Sequence, residues 1–375
     1  MATTTLPHDL SPPSAAPPAR QGAALDRRRF LTVAAGAAAA IGLAGCAKTG
    51  ALDAQDISSD APLGTAVPAG TELRIASSLG TTQLQMQLSG LASKLTFEVP
   101  EWPNLSAGPD VINAFRARSL DLATNAGIPP IQAHFQQLPA KIVAVNQVRR
   151  PIYVFATKPG SDIETVKDFA GKQLAFSQGQ AQGVVLLRAL DQAGLTPSDV
   201  KLVPLTSNQF LTALQSGQVD VAPLYLSLVP PYIEQYEKDG AKVIETDVVD
   251  FLSVLWAPIE VLDDAAKSAA IAEFVPKWAQ SLVWIWEHPQ DWIDEYYVAT
   301  QNITADAARK IVDLTSQPEL PPRWDEAIAW EQKTIDLLAG GGFVQPFDAH
   351  ELFDTRFEHL ASTGVAEQYQ KQAVS

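Results

Sequence analysis

The sequence predicts an α/β protein with two lobes, a hinge of two strands and a helical C-terminal extension that packs on the first lobe. Short β-type runs alternate with longer helical patterns from Glu72 to Ile244, which favours parallel sheets covered by helices on both faces. Two extended crossings, near Phe155 and Val249, separate two such blocks. After Trp256 the pattern is helical only, which indicates an extension of a different kind.

The first block contains five predicted strands and three predicted helices. Leu84, Leu88 and Leu91 recur at helical spacing after Gly80, and Pro109 suits a first helical turn because its missing N–H needs no partner there. The segment 95–99 alternates apolar and polar residues, as a half-buried strand does. The predicted strands are 73–76, 95–99, 120–123, 141–145 and 151–155, and the helices begin at Gly80, Gly108 and Ile128.

The second block repeats this alternation. Gly194 is a C-terminal stop for the helix that begins at Gly179, and residues 251–256 return as an extended apolar segment. The predicted strands are 173–176, 200–203, 219–222 and 242–244, and the helices are 179–193, 207–215 and 230–238.

The C-terminal extension is predicted to contain four helices, at 263–288, 289–300, 304–314 and 324–338. Aromatic residues at helical spacing usually belong to a core, so we expect a core here rather than a binding site. The residues concerned are Trp278, Trp284, Trp286, Trp292, Tyr296 and Tyr297.

Residues 1–45 have the features of an export signal. Arginines at 27–29 precede an apolar run at 31–44, which is too short to span a bilayer because a span needs about 20 residues. Arg27 and Arg28 with the following Phe and Leu resemble a twin-arginine signal, and the sequence LAGC ending at Cys46 resembles a lipobox. Residues 46–70 then read as a flexible tether. We therefore expect a lipid-anchored protein in the periplasm or on the outer face of the cytoplasmic membrane.

Charge and cysteine content exclude some classes of function. The formal net charge is −15, and it becomes −17 without residues 1–45, which carry four arginines and two aspartates. Such a chain does not bind nucleic acid, because phosphate contacts require a basic surface. An anionic ligand remains possible through backbone N–H groups. Cys46 is the only cysteine, so the chain forms no internal disulfide.

Five segments carry a resemblance to a known family. Residues 105–110 read LSAGPD, 120–133 LDLATNAGIPPIQA, 162–176 DIETVKDFAGKQLAF, 186–195 LLRALDQAGL and 213–220 ALQSGQVD. In order and spacing they resemble the extracytoplasmic solute-binding proteins of aliphatic sulfonate, taurine and nitrate ABC importers. The similarity extends from about Leu73 to Ile244, and the Trp-rich helices fit only in general pattern.

The resemblance implies a periplasmic-binding-protein-like (type II) fold. Lobe 1 would comprise residues 71–155 and 250–375, and lobe 2 residues 156–249. The lobes would close on a small organic anion and deliver it to a membrane permease and its ATPase subunit. No catalytic residue, metal or cofactor is implied, and we expect a monomer.

The resemblance also implies that four loops enter the cleft where helices begin. Three of these loops have a structural alternative: helix capping for the first and the fourth, and a tight turn for the second. Tyr225 and Trp256 are candidate aromatic walls. The loop candidates are Ser77, Ser78, Gly80 and Thr81; Ser106 and Gly108; Asn125 and Gly127; and Gly179, Gln180, Ala181 and Gln182.

The chain also departs from the family pattern. Many sulfonate binders have Asp at the position of Gly127, and glutamines here replace the usual hydroxyls near Gln180, so a neutral polar or aromatic heterocyclic solute stays an alternative. Arg149 and Arg150 could face the cleft or form a solvated pair in a loop. Enzymes on the same fold, a desulfinase or a pyrimidine-precursor synthase, are a further alternative, as is a lipid-anchored sensor or adhesion lobe.

Overall fold

The computed structural model describes residues 62–64 and 66–370. The predicted export signal at 1–45, with Arg27 and Arg28, lies outside the described residues, as do Cys46 and most of the tether at 46–70. These features of the sequence therefore stay predictions.

The strands form two sheets, and we name a lobe after each. The first lobe is built on a four-stranded sheet with the order β1-β2-β9-β3, and the second on a five-stranded sheet with the order β6-β5-β7-β4-β8. The strands are β1 (Ile75–Ala76), β2 (Leu122–Ala126), β3 (Ala140–Gln147), β4 (Tyr153–Thr157), β5 (Gln173–Phe176), β6 (Lys201–Pro204), β7 (Val221–Tyr225), β8 (Val243–Ile244) and β9 (Leu252–Pro258).

Helices connect these strands and make up most of the chain after β9. In addition to the α-helices, Ile293–Val298 forms a π-helical turn directly after α9. The α-helices are α1 (Thr81–Leu88), α2 (Gly108–Arg116), α3 (Ile128–Phe135), α4 (Ala181–Gln192), α5 (Phe210–Gln215), α6 (Val229–Tyr236), α7 (Ile259–Leu262), α8 (Ala265–Glu287), α9 (Pro289–Trp292), α10 (Ala305–Leu314), α11 (Asp325–Gly340) and α12 (Leu360–Thr363).

The two-lobed α/β fold is as predicted, but the sheets are mixed rather than parallel. Strand β1 runs parallel to β2, and β5 runs parallel to both β6 and β7. In contrast, β9 is antiparallel to β2 and β3, and β4 is antiparallel to β7 and β8. Strands β4 and β9 are the ones that follow the crossings between lobes, so each enters its sheet without the helical crossover that makes neighbours parallel.

The strand predicted at 95–99 is wrong. Residues 92–94 form a 3-10 turn, and the following segment contributes only an isolated bridge between Glu98 and Glu72. Phe97 is buried in the core, while Thr96 donates to the carboxylate of Glu273 on α8. The alternation of apolar and polar residues is therefore that of a one-sided loop that packs beside the sheet.

Two chain segments cross between the lobes and form the hinge. The first joins β3 to β4 over residues 148–152, and the second joins β8 to β9 over residues 245–251. The N–H of Val148 donates to the carbonyl oxygen of Phe251 over 2.7 Å, which ties the two segments together. The positions at which we divided the chain, 155/156 and 249/250, stay predictions.

The C-terminal extension starts with the long helix α8. Asp264 caps it by accepting from the N–H groups of Ala266 and Lys267, and Trp278 in its centre is fully buried. Trp292, Tyr296 and Tyr297 are also buried, in a separate cluster with α10. The expectation of a core rather than a binding site holds for these residues, whereas Trp286 is 38% exposed. No helix within the described residues is both long and apolar enough to cross a membrane.

Candidate functional site

The first predicted loop follows β1, and its hydroxyl groups are used within the loop. Ser77 is fully buried and accepts from the N–H of Gln83 over 3.0 Å, and Thr81 donates to the carbonyl oxygen of Ser78 over 2.7 Å. Gly80 adopts a φ of 76°, which favours glycine. In this loop Ser77 accepts from an N–H group in the first turn of α1, while Gly80, the residue before the helix, provides no side-chain cap.

The second predicted loop brings the two lobes together. Ser106 is exposed, while Gly108 begins α2 and is buried. A Cβ atom added to Gly108 would lie 3.0 Å from the carbonyl oxygen of Gly179 in the second lobe and 2.7 Å from Cγ of Pro129. Gly179 has a φ of 80°, and a Cβ atom added to it would lie only 2.9 Å from Cγ of Gln132 on α3. Both glycines therefore permit the close approach of the lobes.

The third predicted loop contains Asn125 and Gly127 at the end of β2. The Oδ1 atom of Asn125 accepts from the indole N–H of Trp256 over 2.9 Å. Trp256 is fully buried and packs edge-on against Phe115 with 4.8 Å between ring centroids. The indole ring of Trp256 thus packs in the core of the first lobe, and its contact with a solute stays a prediction.

The fourth predicted loop contains a hydrogen-bonded side chain and leads into the first turn of α4. Gln180 is 5% exposed, and its side-chain amide donates to the Ser207 hydroxyl and accepts from the Ser207 N–H, both over 3.0 Å. Ala181 and Gln182 lie in the first turn of α4, where N–H groups have no acceptor within the helix. Ser177, just before them, is 2% exposed, and its hydroxyl has no hydrogen-bond partner among the described residues.

Tyr225, the remaining predicted wall, lies at the end of β7. It faces Tyr153 of β4 across the ladder, with edge-on rings 5.7 Å apart. Burial raises the pKa of both phenols, and the charge of Asp250 contributes for Tyr153. Both side chains keep partial exposure.

Three charged residues near these tyrosines were missed by the sequence analysis: Arg188 on α4, Asp250 before β9 and Glu331 on α11. Burial raises the pKa of Asp250 to about 7 and that of Glu331 to about 8, and the charge of Arg188 opposes both shifts. The spacing of the sequence could have indicated that Glu331 is buried. Glu331 lies four residues after Ala327 and four before Ile335, on the buried face of an amphipathic helix.

Arg149 and Arg150 are both held by the C-terminal extension. Arg149 pairs with Glu319 over 2.7 Å and with Glu326 over 2.8 Å, and its guanidinium lies 4.7 Å from the ring centroid of Phe251. Arg150 donates to the carbonyl oxygens of residues 313 and 315. Arg149 therefore pairs with acids of the extension, and it connects the hinge to that part of the chain.

Comparison with known proteins finds one family model and several sequence relatives that match part of the chain. Residues 106–291 match the family model described as NMT1/THI5 like. A putative aliphatic sulfonates-binding protein of Escherichia coli (strain K12) is 32% identical over 144 residues, which are 38% of this chain and 44% of that protein. The chain thus matches less than half the length of this curated relative.

Solved structures share the fold at lower identity. The periplasmic aliphatic sulphonate binding protein SsuA from Escherichia coli superposes with a TM-score of 0.64 at 24% identity, over 76% of this chain and 98% of that one. The desulfurization enzyme DSZB superposes with a TM-score of 0.54 at 15% identity, over 78% and 99%. The same architecture thus occurs in a binding protein and in an enzyme, and the sequence match is to the former.

No group of three or more His, Cys, Asp and Glu side chains among the described residues is arranged to hold a metal ion.

The structure has three features of a hinged binding protein. They are two lobes in contact at Gly108 and Gly179, a hinge of two crossings, and helix starts at the lobe contact. With the family-model match over residues 106–291 and the sequence relative, these features show that the chain is similar to solute-binding proteins of the aliphatic sulfonate type.

Proposed function

We propose that the protein is the extracytoplasmic solute-binding component of an ABC importer and that it captures a small organic anion by hinge closure. The observation that carries the proposal is the contact of the lobes at Gly108 and Gly179, at the starts of α2 and α4. A helix start attracts an anion through its free N–H groups and the positive end of its dipole. Closure around such a site excludes water and so strengthens these contacts.

Within this proposal, the acidic group of the solute lies at the first turn of α4. The N–H groups of Ala181 and Gln182, which have no acceptor within the helix, and the hydroxyl of Ser177, which has no partner among the described residues, supply donors. Gln180 supports the loop through Ser207. Tyr153 and Tyr225 provide an apolar wall for the rest of the solute. The other predicted loop residues, from Ser77 to Gly127, stay candidates for contacts from the first lobe.

We further propose that the protein is exported and anchored by a lipid on Cys46, with Arg27 and Arg28 in the export signal. A membrane anchor would keep the binding protein near the permease and its ATPase subunit and so raise its local concentration there. The sequence of residues 1–46 supports this proposal. Replacement of Cys46 by Ala should move the protein from the membrane fraction to the soluble fraction of exported material.

Two alternatives concern the chemistry of the solute and the possibility of catalysis. A neutral or aromatic heterocyclic solute is favoured by the glutamines of the α4 loop and by the paired tyrosines. An enzyme such as a desulfinase is disfavoured, because the single cysteine is the predicted lipidation site. Catalysis by a thiol would need a cysteine near the cleft.

A thermal-shift panel tests the proposal on the purified protein. Alkanesulfonates, taurine, nitrate, sulfate esters, aromatic acids and neutral heterocycles are compared, and the mixtures are checked for new products. Stabilisation by one or more acids without product formation is the expected result. Stabilisation by heterocycles alone would replace the anion in the proposal with a neutral solute, and product formation would show an enzyme.

A further inference from the structure

Glu331 occupies the place of a missing side chain in the predicted site. Gly127 is the N-cap of α3, and a Cβ atom built on it would lie only 1.7 Å from Oε1 of Glu331. The carboxyl group, carried on α11, therefore fills the space that a side chain at residue 127 would use. Glu331 is 1% exposed, so this acid is part of the interior rather than of the surface.

The carboxyl group of Glu331 is incompletely hydrogen-bonded. Its Oε2 atom is buried and has no partner among the described residues. The nearby cation Arg188 is used elsewhere, because it donates to the Thr334 hydroxyl and lies 3.9 Å from the ring centroid of Trp330. A buried carboxyl oxygen without a hydrogen-bond donor destabilises the folded protein. The geometry therefore indicates that a donor from outside the protein completes the hydrogen bonding of Oε2.

The charges around Glu331 favour a donor that is positively charged. Burial and the charge of Asp250 raise the pKa of Glu331, while Arg188 opposes the increase. Burial likewise raises the pKa of Asp250, which also acts on Tyr153. Two acids thus face one guanidinium, and a cation beside them would allow both carboxyl groups to ionise.

The start of α3 is poorly suited to an anion. Its second and third residues are Pro129 and Pro130, which have no N–H group to donate. The carboxyl group of Glu331 at the same helix start would also repel an anion. The start of α4 has neither obstacle, with Ala181 and Gln182 in its first turn and the unpartnered Ser177 hydroxyl beside it.

We propose that Glu331 is a specificity-determining residue that accepts a hydrogen bond from a protonated nitrogen of the solute, while the acidic group of the same solute lies at the start of α4. The proposal rests on the proposed function, and it narrows the solute from an organic anion to a zwitterion with an amino or amidino group. Charge-assisted hydrogen bonds of this kind are stronger than neutral ones.

Matched pairs of ligands that differ only in an amino or a hydroxyl group test this inference. Titration calorimetry compares taurine with isethionate, 3-aminopropanesulfonate with 3-hydroxypropanesulfonate, and 2-aminoethylphosphonate with 2-hydroxyethylphosphonate. We expect the amino member of at least one pair to bind about tenfold tighter than its hydroxyl partner. Glu331→Gln should reduce this ratio to near one, because the uncharged amide no longer favours a cation.

A control variant separates this role from a purely structural one. Asp336→Asn removes an exposed acid from the same helix and should leave the ratio unchanged. A melting curve for each variant shows whether it is folded, and a ratio that stays the same in folded Glu331→Gln overturns the inference. Equal or tighter binding of the hydroxyl members also overturns it but leaves the proposed function intact. Failure of every acid in both this panel and the thermal-shift panel overturns the two together.

Discussion

Gln180 and Ser207 are joined by two hydrogen bonds, both 3.0 Å long, so that one side-chain amide satisfies the hydroxyl and the N–H of the same residue. The side chain of Gln180 caps no N–H group of α4, the helix that follows it. Its amide instead fixes the loop after β5 to the loop after β6. The position of the α4 helix start beside the lobe contact therefore depends on a contact within the second lobe.

The first prediction concerns this pair. Gln180→Ala removes both hydrogen bonds to the half-buried Ser207, so the free energy of unfolding should fall by about 1–3 kcal/mol. Urea denaturation measures this change. Gln178→Ala, which removes an exposed side chain from the same loop, should change stability by less than about 0.5 kcal/mol. Similar losses for both variants would contradict the structural role of Gln180.

The second prediction concerns the contact between the lobes. Gly179→Ala places a methyl group 2.9 Å from Cγ of Gln132, whereas Gly160→Ala, at a similar positive φ, meets nothing within 4 Å. Both substitutions should cost about 1 kcal/mol of stability because the backbone conformation favours glycine. Only Gly179→Ala should also weaken ligand binding, by about tenfold, because only there is closure obstructed. Calorimetric titration of both variants with one ligand checks this difference, and equal affinities would refute it.

The third prediction concerns Asp121, which is 3% exposed and accepts from Arg74 and from Lys267 of α8. Burial alone would raise its pKa, but these hydrogen bonds outweigh burial and hold the pKa below 3.8. A carboxyl whose folded pKa is depressed stabilises the protein above its unfolded pKa, and this contribution is lost as the pH falls through the folded value. Asp121→Asn should therefore destabilise the protein at pH 7 and flatten the loss of stability in acid.

We expect a loss of about 2–3 kcal/mol for Asp121→Asn at pH 7, below the range for fully buried pairs because both cations are partly exposed. The matched control is Asp325→Asn, whose partner Arg323 is 70% exposed at its side chain. This exposed pair should contribute far less, because solvent and salt screen the attraction. Urea denaturation at pH 7 and at pH 4 compares the two variants, and equal losses would contradict the assignment.

The fourth prediction concerns the pH dependence of stability. Burial raises the folded pKa of Asp250 from 3.8 to about 7 and that of Glu331 from 4.5 to about 8. Because the native state then binds more protons than the unfolded state, stability should decrease as the pH rises from about 4 through 8. Glu331→Gln should reduce this slope and raise the melting temperature at pH 8, while Asp336→Asn should do neither. A pH series of melting curves for the protein without solute tests this, and an unchanged slope would count against it.

Local patterns in the sequence determine most of the elements. The helix over 263–288 was predicted from its periodicity and is observed at Ala265–Glu287, and the helix start at Gly108 and the strand at 173–176 were also predicted correctly. Helical spacing and strand alternation report which side chains face a core. The same alternation wrongly predicted a strand at 95–99, because a loop packed on one side has the same pattern of apolar and polar residues as an edge strand.

The site was predicted less completely than the fold. Motif resemblance indicated the loops around Gly108 and Gly179, which the structure shows in contact. It gave no indication of Glu331, which is more than 200 residues away from Gly127 in the chain. Trp256 was expected at the ligand and is in the core, because the direction of a strand residue depends on the register of its sheet.

The sequence by itself determined the fold class, the order of the elements and the resemblance to solute-binding proteins, since these depend on periodicity and on short motifs that neighbouring residues carry. Only the tertiary structure decided that the sheets are mixed, that Gln180 holds Ser207 and that Glu331 lies against Gly127. The physical reason is that these features depend on contacts between distant segments. Their geometry is set by the packing of whole helices and sheets, which no local pattern records.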